Sequence, residues 1–332
     1  MTTQSGTVLN LRVGNFVEVK RPGEILATLD GAGAYEALPF MPEMLAYCGQ
    51  RFMVYKRAEK ICDTIDKTGI RRMRDAVLLA GVHCDGRSHG GCDAGCMIIW
   101  KEVWLRKIGS AYDLESVPIT IDRLAVRPNG SSRADEEVIR NLVDARAQLP
   151  PTADGATRYL CQNTELKNAT TPLKVWDLRQ YWRDVRSGNI GLWQGVEGLL
   201  IMFFNWVQSL RGGSGYPYFE RGHLKTTPKA NLNLQIGELV RVKNKEDILR
   251  TLDAKNRNRG LGFDNEMLKH CGKEYRVKRK IQRLVNERTG ELVTMSNDCI
   301  ILEDVVCHGE CHQFCSRSED IYWREVWLSR SA

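Results

Sequence analysis

The sequence has no run of residues long enough and apolar enough to span a membrane. Its most apolar stretch, Gly198–Val207, is interrupted by Asn205, whereas a transmembrane helix needs about 20 apolar residues. The first residues also lack the basic start and the apolar core of a secretory signal peptide. We therefore expect a cytoplasmic protein with no membrane span.

The common catalytic motifs are missing as well. The sequence contains no GxxxxGK[ST] phosphate loop, no GxSxG nucleophile elbow, no HExxH metal motif and no convincing GxGxxG. The formal net charge of +7 over 332 residues is a mild excess, which a solvated surface explains better than a nucleic-acid partner does. Nucleic-acid binding through the basic run Arg276–Arg283 therefore ranks lowest among the functions considered.

An internal duplication organises the sequence. Residues 13–107 recur without a gap at 236–330, so that VGNFVEVKRPGEILATLD aligns with IGELVRVKNKEDILRTLD and WKEVWL aligns with WREVWL. The two copies are about thirty per cent identical, far above a chance alignment. The duplication predicts a first repeat over residues 1–107, a helical middle segment over 108–235 and a second repeat over 236–332.

The eleven cysteines are the first candidates for chemistry, because clustered thiols in a protein without a secretion signal usually bind metal or react. The two copies agree at three cysteines and one histidine: Cys48/Cys271, Cys84/Cys307, Cys92/Cys315 and His89/His312. Three thiolates and one imidazole are the ligands of a closed tetrahedral zinc site, and the C-x4-H-x2-C spacing lets one loop present three of them. We therefore predict one structural zinc ion in each repeat.

Other interpretations of these positions stay open. An iron–sulfur cluster also takes four ligands, and buried thiols beside a satisfied histidine would need no metal. Cys96 and Cys311 each lie near one set and have no counterpart in the other copy. They are alternative ligands, or they mark a site that gained an open position and became catalytic.

Each repeat is predicted to be a small strand-rich domain. The turn and strand G-x-x-V-x-V after Gly14 and Gly237 resembles the opening of SH3-like or KOW-like barrels. The tryptophans shared by the copies, Trp100, Trp104, Trp323 and Trp327, are expected in the core. The fold class is α+β, with two SH3-like repeats flanking the middle segment.

The middle segment is predicted to contain a strand at Asp122–Val126 and three helices. The helices are expected over 134–149, from Thr171–Pro172 through Tyr181, and over 192–210. The third is apolar nearly all round, which favours a helix buried between the repeats that holds them together. Membrane association or an oligomer interface is the alternative.

Cys161 and His223 lie in the middle segment, outside the metal sets. A cysteine and a histidine are the minimum for a nucleophilic pair in which the imidazole removes the thiol proton. One buried cysteine and one surface histidine explain the same residues without chemistry.

The segments FMPEMLAYCG, C-D-G-x-x-H-G-G-C, YLCQNTE and the final WREVWL resemble an uncharacterised bacterial family associated with polysaccharide and secondary-metabolite biosynthetic gene sets. The resemblance covers nearly the whole chain and implies no particular activity. The sequence thus favours a zinc-stapled binding or scaffold protein in a biosynthetic pathway, with a protein or a carrier-bound small molecule as its partner. The alternative is an enzyme of acyl or amide transfer that uses Cys161 and His223.

Overall fold

A computed structural model describes residues 8–109, 133–213 and 215–331. The described residues form two compact units: those up to Gly191 together with 285–292, and those of 192–284 together with those from 293 onward. The middle segment predicted over 108–235 is therefore divided after Gly191, and the strand predicted at Asp122–Val126 lies outside the described residues. Within the described ranges, no helix is long and apolar enough to cross a bilayer.

The first unit combines strands with short helices, as the α+β class predicts. Its strands are β1 (Phe16–Val19), β2 (Ala34–Tyr35), β3 (Leu38–Pro39), β4 (Arg51–Arg57), β5 (Lys60–Cys62), β6 (Ile70–Arg72), β7 (Ala76–His83), β8 (Met97–Lys101), β9 (Leu105–Ile108), β10 (Gln148–Leu149), β11 (Arg158–Tyr159) and β12 (Thr171–Pro172). Its helices are α1 (Pro22–Leu26), α2 (Arg133–Arg146), α3 (Gln162–Ala169) and α4 (Arg179–Ser187), with 3-10 turns at Pro42–Tyr47, Arg87–His89 and Glu102–Trp104.

The main sheet of this unit is antiparallel and has the strand order β8-β7-β4-β1-β9. The opening strand β1 pairs with β4 on one side and with the last strand β9 on the other. Its alternating pattern buries Val17 and Val19, which confirms the strand predicted from the period-two pattern. The 3-10 turn Pro42–Tyr47 leads into β4 and carries residues of the candidate site.

The second unit contains a sheet of the same strand order. Its strands are β13 (Leu239–Val242), β14 (Arg257–Asn258), β15 (Leu261–Gly262), β16 (Glu274–Val285), β17 (Leu292–Val306), β18 (Asp320–Trp323) and β19 (Leu328–Arg330). Its helices are α5 (Leu192–Arg211) and α6 (Lys245–Leu249), with 3-10 turns at Asn265–His270, Glu310–His312 and Glu325–Trp327. The sheet order is β18-β17-β16-β13-β19, so each strand takes the place of its counterpart 223 residues earlier.

The four shared tryptophans are fully buried, as predicted. In each unit one of them also satisfies its polar atom: Trp104 Nε1 donates to Thr28 Oγ1 at 3.1 Å, and Trp327 Nε1 donates to Thr251 Oγ1 at 2.9 Å. The same tryptophan–threonine pair thus supplies a buried indole N–H with an acceptor in both copies.

A shared carboxylate fastens the segment before the first strand of each sheet. Glu102 is buried and accepts hydrogen bonds from the backbone amides of residues 9, 10 and 11, at 2.7, 2.9 and 3.0 Å. It also contacts Arg57 Nη1 at 2.6 Å. Its counterpart Glu325 accepts from the amides of residues 232 and 234, at 2.6 and 3.3 Å. The glutamate of the WKEVWL and WREVWL motifs is therefore a structural anchor.

The middle-segment helices only partly match the prediction. Helix α2 lies where it was expected, but the helix predicted from Thr171–Pro172 was wrong at its start. These two residues form β12, which pairs with β6, because a residue before proline favours extended backbone. The helix begins only at Arg179. The prediction that the third helix is buried was also wrong, since Gly195 is the only buried residue of α5.

Candidate metal centre

The loop from Cys84 to Cys92 is held in a tight fold by glycine. Gly86 has a φ of +69°, and a Cβ at this position would lie 1.9 Å from the carbonyl oxygen of Cys92. At the corresponding position of the second repeat, a Cβ on Gly309 would lie 2.4 Å from the carbonyl oxygen of Cys315. Only glycine fits at either position. The copies therefore share this glycine because any side chain would collide with the loop backbone.

The loop brings Cys84 and His89 to Glu43, which projects from the 3-10 turn Pro42–Tyr47. Cys84 Sγ and His89 Nε2 each lie 3.1 Å from Glu43 Oε1. One ligand atom from each of the three residues lies within 4.8 Å of the others, close enough for one metal ion. The side chains of Glu43 and His89 are only 7% and 3% exposed.

The contacts within this cluster shift the pKa values of its side chains and leave two buried polar atoms without a partner among the described residues. Burial raises the pKa of Glu43, but the hydrogen bonds from His89 and Cys84 and the charge of His89 lower it overall. Burial, then Glu43 and more weakly Cys96, raise the pKa of the Cys84 thiol. Glu43 Oε2 and His89 Nδ1 are buried and have no hydrogen-bond partner among the described residues. A bound cation would satisfy such a carboxylate oxygen and would favour the thiolate form of Cys84.

The other two ligands predicted for this repeat are not part of the three-residue group. Cys48 ends the same 3-10 turn as Glu43, but its thiol is buried in the core and lies 3.9 Å from the carbonyl oxygen of Met44. Cys92 Sγ lies 3.4 Å from the backbone nitrogen of Val285. The structure thus joins Cys84 and His89, while the full Cys3His set stays a prediction.

Cys96 also lies outside the three-residue group, but it is a candidate for a fourth ligand because it adjoins Cys84. Its carbonyl oxygen accepts a hydrogen bond from the Cys84 amide at 2.8 Å, which holds the two cysteines side by side at the base of the loop. Its thiol accepts from Asn163 Nδ2 at 3.2 Å, the kind of outer hydrogen bond that orients a metal ligand.

The second repeat keeps the counterparts of this cluster in a different arrangement. Cys307 Sγ lies 3.2 Å from Glu266 Oε2, and this contact corresponds to the one between Cys84 and Glu43 in the first repeat. The other oxygen of Glu266, however, accepts from the backbone amides of His308 and Gly309, at 2.5 and 3.1 Å. The carboxylate is therefore fully used by the chain itself.

The histidine of the second repeat has a separate acceptor. His312 Nε2 lies 3.1 Å from Asp264 Oδ2, and Asp264 stands where the first repeat has Met41. The hydrogen bond to Asp264 raises the pKa of His312. Cys315 is buried, Cys271 is partly buried, and neither belongs to a metal-sized group among the described residues. A zinc site in this repeat stays a prediction.

Cys161 and His223 fall in different units. Cys161 precedes α3, and burial raises the pKa of its thiol to about 12, so the thiol is protonated at neutral pH and is a weak nucleophile. His223 is exposed in the second unit. Their catalytic pairing stays a prediction.

Glu43 is the candidate ligand that the sequence interpretation missed. It is identical to Glu266 in the second copy, so the internal comparison contained the signal. Carboxylates bind zinc as cysteine and histidine do, so an identical glutamate is a ligand candidate of the same kind as the shared cysteines.

The sequence matches no protein-family model, and no curated protein sequence matches it either. The cluster of Glu43, Cys84 and His89 is therefore interpreted from its own chemistry.

Proposed function

We propose that the chain is a zinc-stapled binding protein whose first repeat closes its Cys84–Cys92 loop around one metal ion. The observation that carries this proposal is the convergence of Glu43, Cys84 and His89 with ligand atoms within 4.8 Å. A structural zinc of this kind ties the loop to the 3-10 turn 42–47 and adds its binding free energy to folding.

The chemistry of the ligands favours zinc. A thiolate excludes the hard cations Mg²⁺ and Ca²⁺, and a mixed set of sulfur, nitrogen and oxygen ligands suits Zn²⁺. With Cys96 as the fourth ligand the coordination would be closed, as in structural sites. Cys96 would thus fill the position that a catalytic zinc keeps for water or substrate, and on that ground we favour a binding role over catalysis.

The strand order supports an SH3-like barrel as the scaffold. In each sheet the fifth strand pairs with the first, and a 3-10 turn precedes it, at Glu102–Trp104 and Glu325–Trp327. Small barrels of this architecture commonly serve as binding modules, although the fold alone does not define a function. The place in a biosynthetic pathway rests on the family resemblance alone.

Metal analysis of the purified full-length protein tests the zinc proposal. We expect one zinc per chain in the wild type, and a loss of zinc affinity of at least about tenfold in Glu43→Gln, Cys84→Ser and His89→Ala. Cys96→Ser should weaken binding as well. Cys48→Ser is the matched control, because it removes a thiol from the same turn without touching the cluster.

Three outcomes would contradict this assignment. Wild-type protein purified without metal, and unable to take up added zinc, would overturn it. Loss of zinc in Cys48→Ser but not in Glu43→Gln would favour the Cys3His set instead. Two zinc ions per wild-type chain would contradict the single site. If one ion is lost in His89→Ala and the other in His312→Ala, the second repeat holds a site of its own.

A further inference from the structure

Helix α5 exposes a continuous apolar strip, here called the α5 seam. Its members follow one another at alternating intervals of three and four residues: Trp193, Val196, Leu200, Phe203, Val207 and Leu210. Five of the six are exposed, by 81, 41, 64, 62 and 69% for Trp193, Val196, Leu200, Phe203 and Leu210. Alternating three- and four-residue spacing is the pattern of a helix that packs lengthwise against another helix.

The opposite face of α5 is already held by its own unit. A Cβ on Gly198 would lie 2.4 Å from the ring of Phe314, so the helix backbone approaches that ring closely. Asn205 exchanges hydrogen bonds with the backbone of Tyr216, at 2.6 and 2.8 Å. Gly198 therefore lies on the face that packs against the unit, Asn205 lies on that same side of the helix and binds the segment that follows it, and the exposed side chains of the seam lie on the opposite side.

The exposed area is large enough for an interface. Side chains of this size and exposure present on the order of 600 Å² of apolar surface per chain. That size is at the upper end of the apolar patches that monomers expose, and such patches often mark interaction sites. Two such patches in contact would bury about 1,200 Å², which exceeds the roughly 1,000 Å² expected of a specific interface.

We propose that the α5 seam packs antiparallel against the same seam of a second copy of this chain. In this pairing Trp193 meets Leu210 of the second copy, Val196 meets Val207, and Leu200 meets Phe203, so one two-fold axis brings all six positions together. The only charged residues of α5 are Glu197 near its beginning and Arg211 at its end. Antiparallel packing brings Glu197 of each copy toward the Arg211 end of the other and opposes the two helix dipoles.

The same charges argue against a membrane surface as the occupant. Helices that lie in the bilayer interface carry several lysines and arginines on the face opposite their apolar one. Arg211 is the sole base of α5, and the face opposite the seam packs within the unit. A lipid surface would therefore gain little electrostatic attraction from this helix.

Sedimentation equilibrium of the full-length protein tests the proposal. We expect a dimer at micromolar concentration, and a dissociation constant at least a hundredfold larger in the double variant Leu200→Glu, Phe203→Glu, because each introduced glutamate would face another across the interface. The matched control is Val138→Glu with Ile236→Glu, which changes two exposed apolar residues away from α5 and should leave the dimer intact.

A monomer at all concentrations up to about 100 μM, well above ordinary micromolar affinities, would overturn the proposal. A dimer that survives the seam substitutions would overturn it too. Binding of a monomeric protein to phosphatidylcholine–phosphatidylglycerol vesicles, abolished by the same substitutions, would assign the seam to a membrane surface instead. Circular dichroism of each variant shows whether the fold is retained.

Discussion

Replacing Lys60 with methionine should lower the free energy of unfolding of the first unit by about 3–5 kcal/mol, because it leaves a buried charge without its partner. Lys60 Nζ lies 2.6 Å from Asp184 Oδ2, and the two side chains are only 2% and 3% exposed. The ammonium also lies 4.7 Å from the centre of the Tyr181 ring, a cation–π contact that the substitution removes. Urea unfolding followed by circular dichroism measures the loss.

The double variant Lys60→Met, Asp184→Leu is the control for this prediction. It removes both charges, and we expect it to recover most of the lost stability, because a buried ion pair is often replaceable by apolar residues. A single variant that costs less than about 1 kcal/mol, the range of solvent-exposed pairs, would contradict the prediction.

The pH dependence of the Lys60→Met variant follows from Asp184. Burial raises the pKa of Asp184 to about 6 even with Lys60 present, above that of an aspartate in the unfolded chain. The folded state therefore binds the proton more tightly, and the stability this contributes is lost as the pH rises through the folded-state pKa. The defect of the variant should thus be smaller at pH 5 than at pH 8.

Glu102→Ala should destabilise the first unit by about 3 kcal/mol, because it leaves three backbone amides without their acceptor. The same change at the duplicated position, Glu325→Ala, removes the acceptor of only two amides and should cost the second unit about 1–2 kcal/mol. Denaturant unfolding of the two variants, measured side by side, checks the difference. Equal losses would contradict the claim that Glu102 anchors its segment more strongly.

Local sequence patterns predicted much of the fold correctly. Period-two alternation identified β1 and β13, and the WKEVWL and WREVWL motifs identified buried tryptophans. Helix α2 was predicted within a few residues of its bounds. These features depend on neighbouring residues, and their physical cause is the burial of one face.

Other features depend on contacts that no local pattern encodes. An all-round apolar helix usually indicates burial, yet α5 exposes its seam, because the side that packs inward is determined by contacts with distant residues such as Phe314. Proline favours extended backbone at Thr171, but the strand also requires its pairing with β6, about a hundred residues earlier in the sequence.

The sequence predicted two of the three residues of the candidate site, Cys84 and His89. Cys84 and His89 are five residues apart, and their loop brings them together by itself. The third ligand had to come from a distant turn, where Glu43 and Cys48 leave the backbone in different directions. The spacing alone could not tell which of them faces the loop.

The loops 84–92 and 307–315 are stabilised by different contacts. Their local unfolding should therefore respond differently to added metal. If zinc closes the first loop, its opening free energy rises with free zinc by about 2.7 kcal/mol at a hundred times the dissociation constant. The amide of Gly86, bonded to Cys84 Sγ, should then exchange hydrogen more slowly as zinc is added. The amide of Gly309 is bonded to Glu266 instead, so its exchange should not change, and the second loop is a built-in reference for the first.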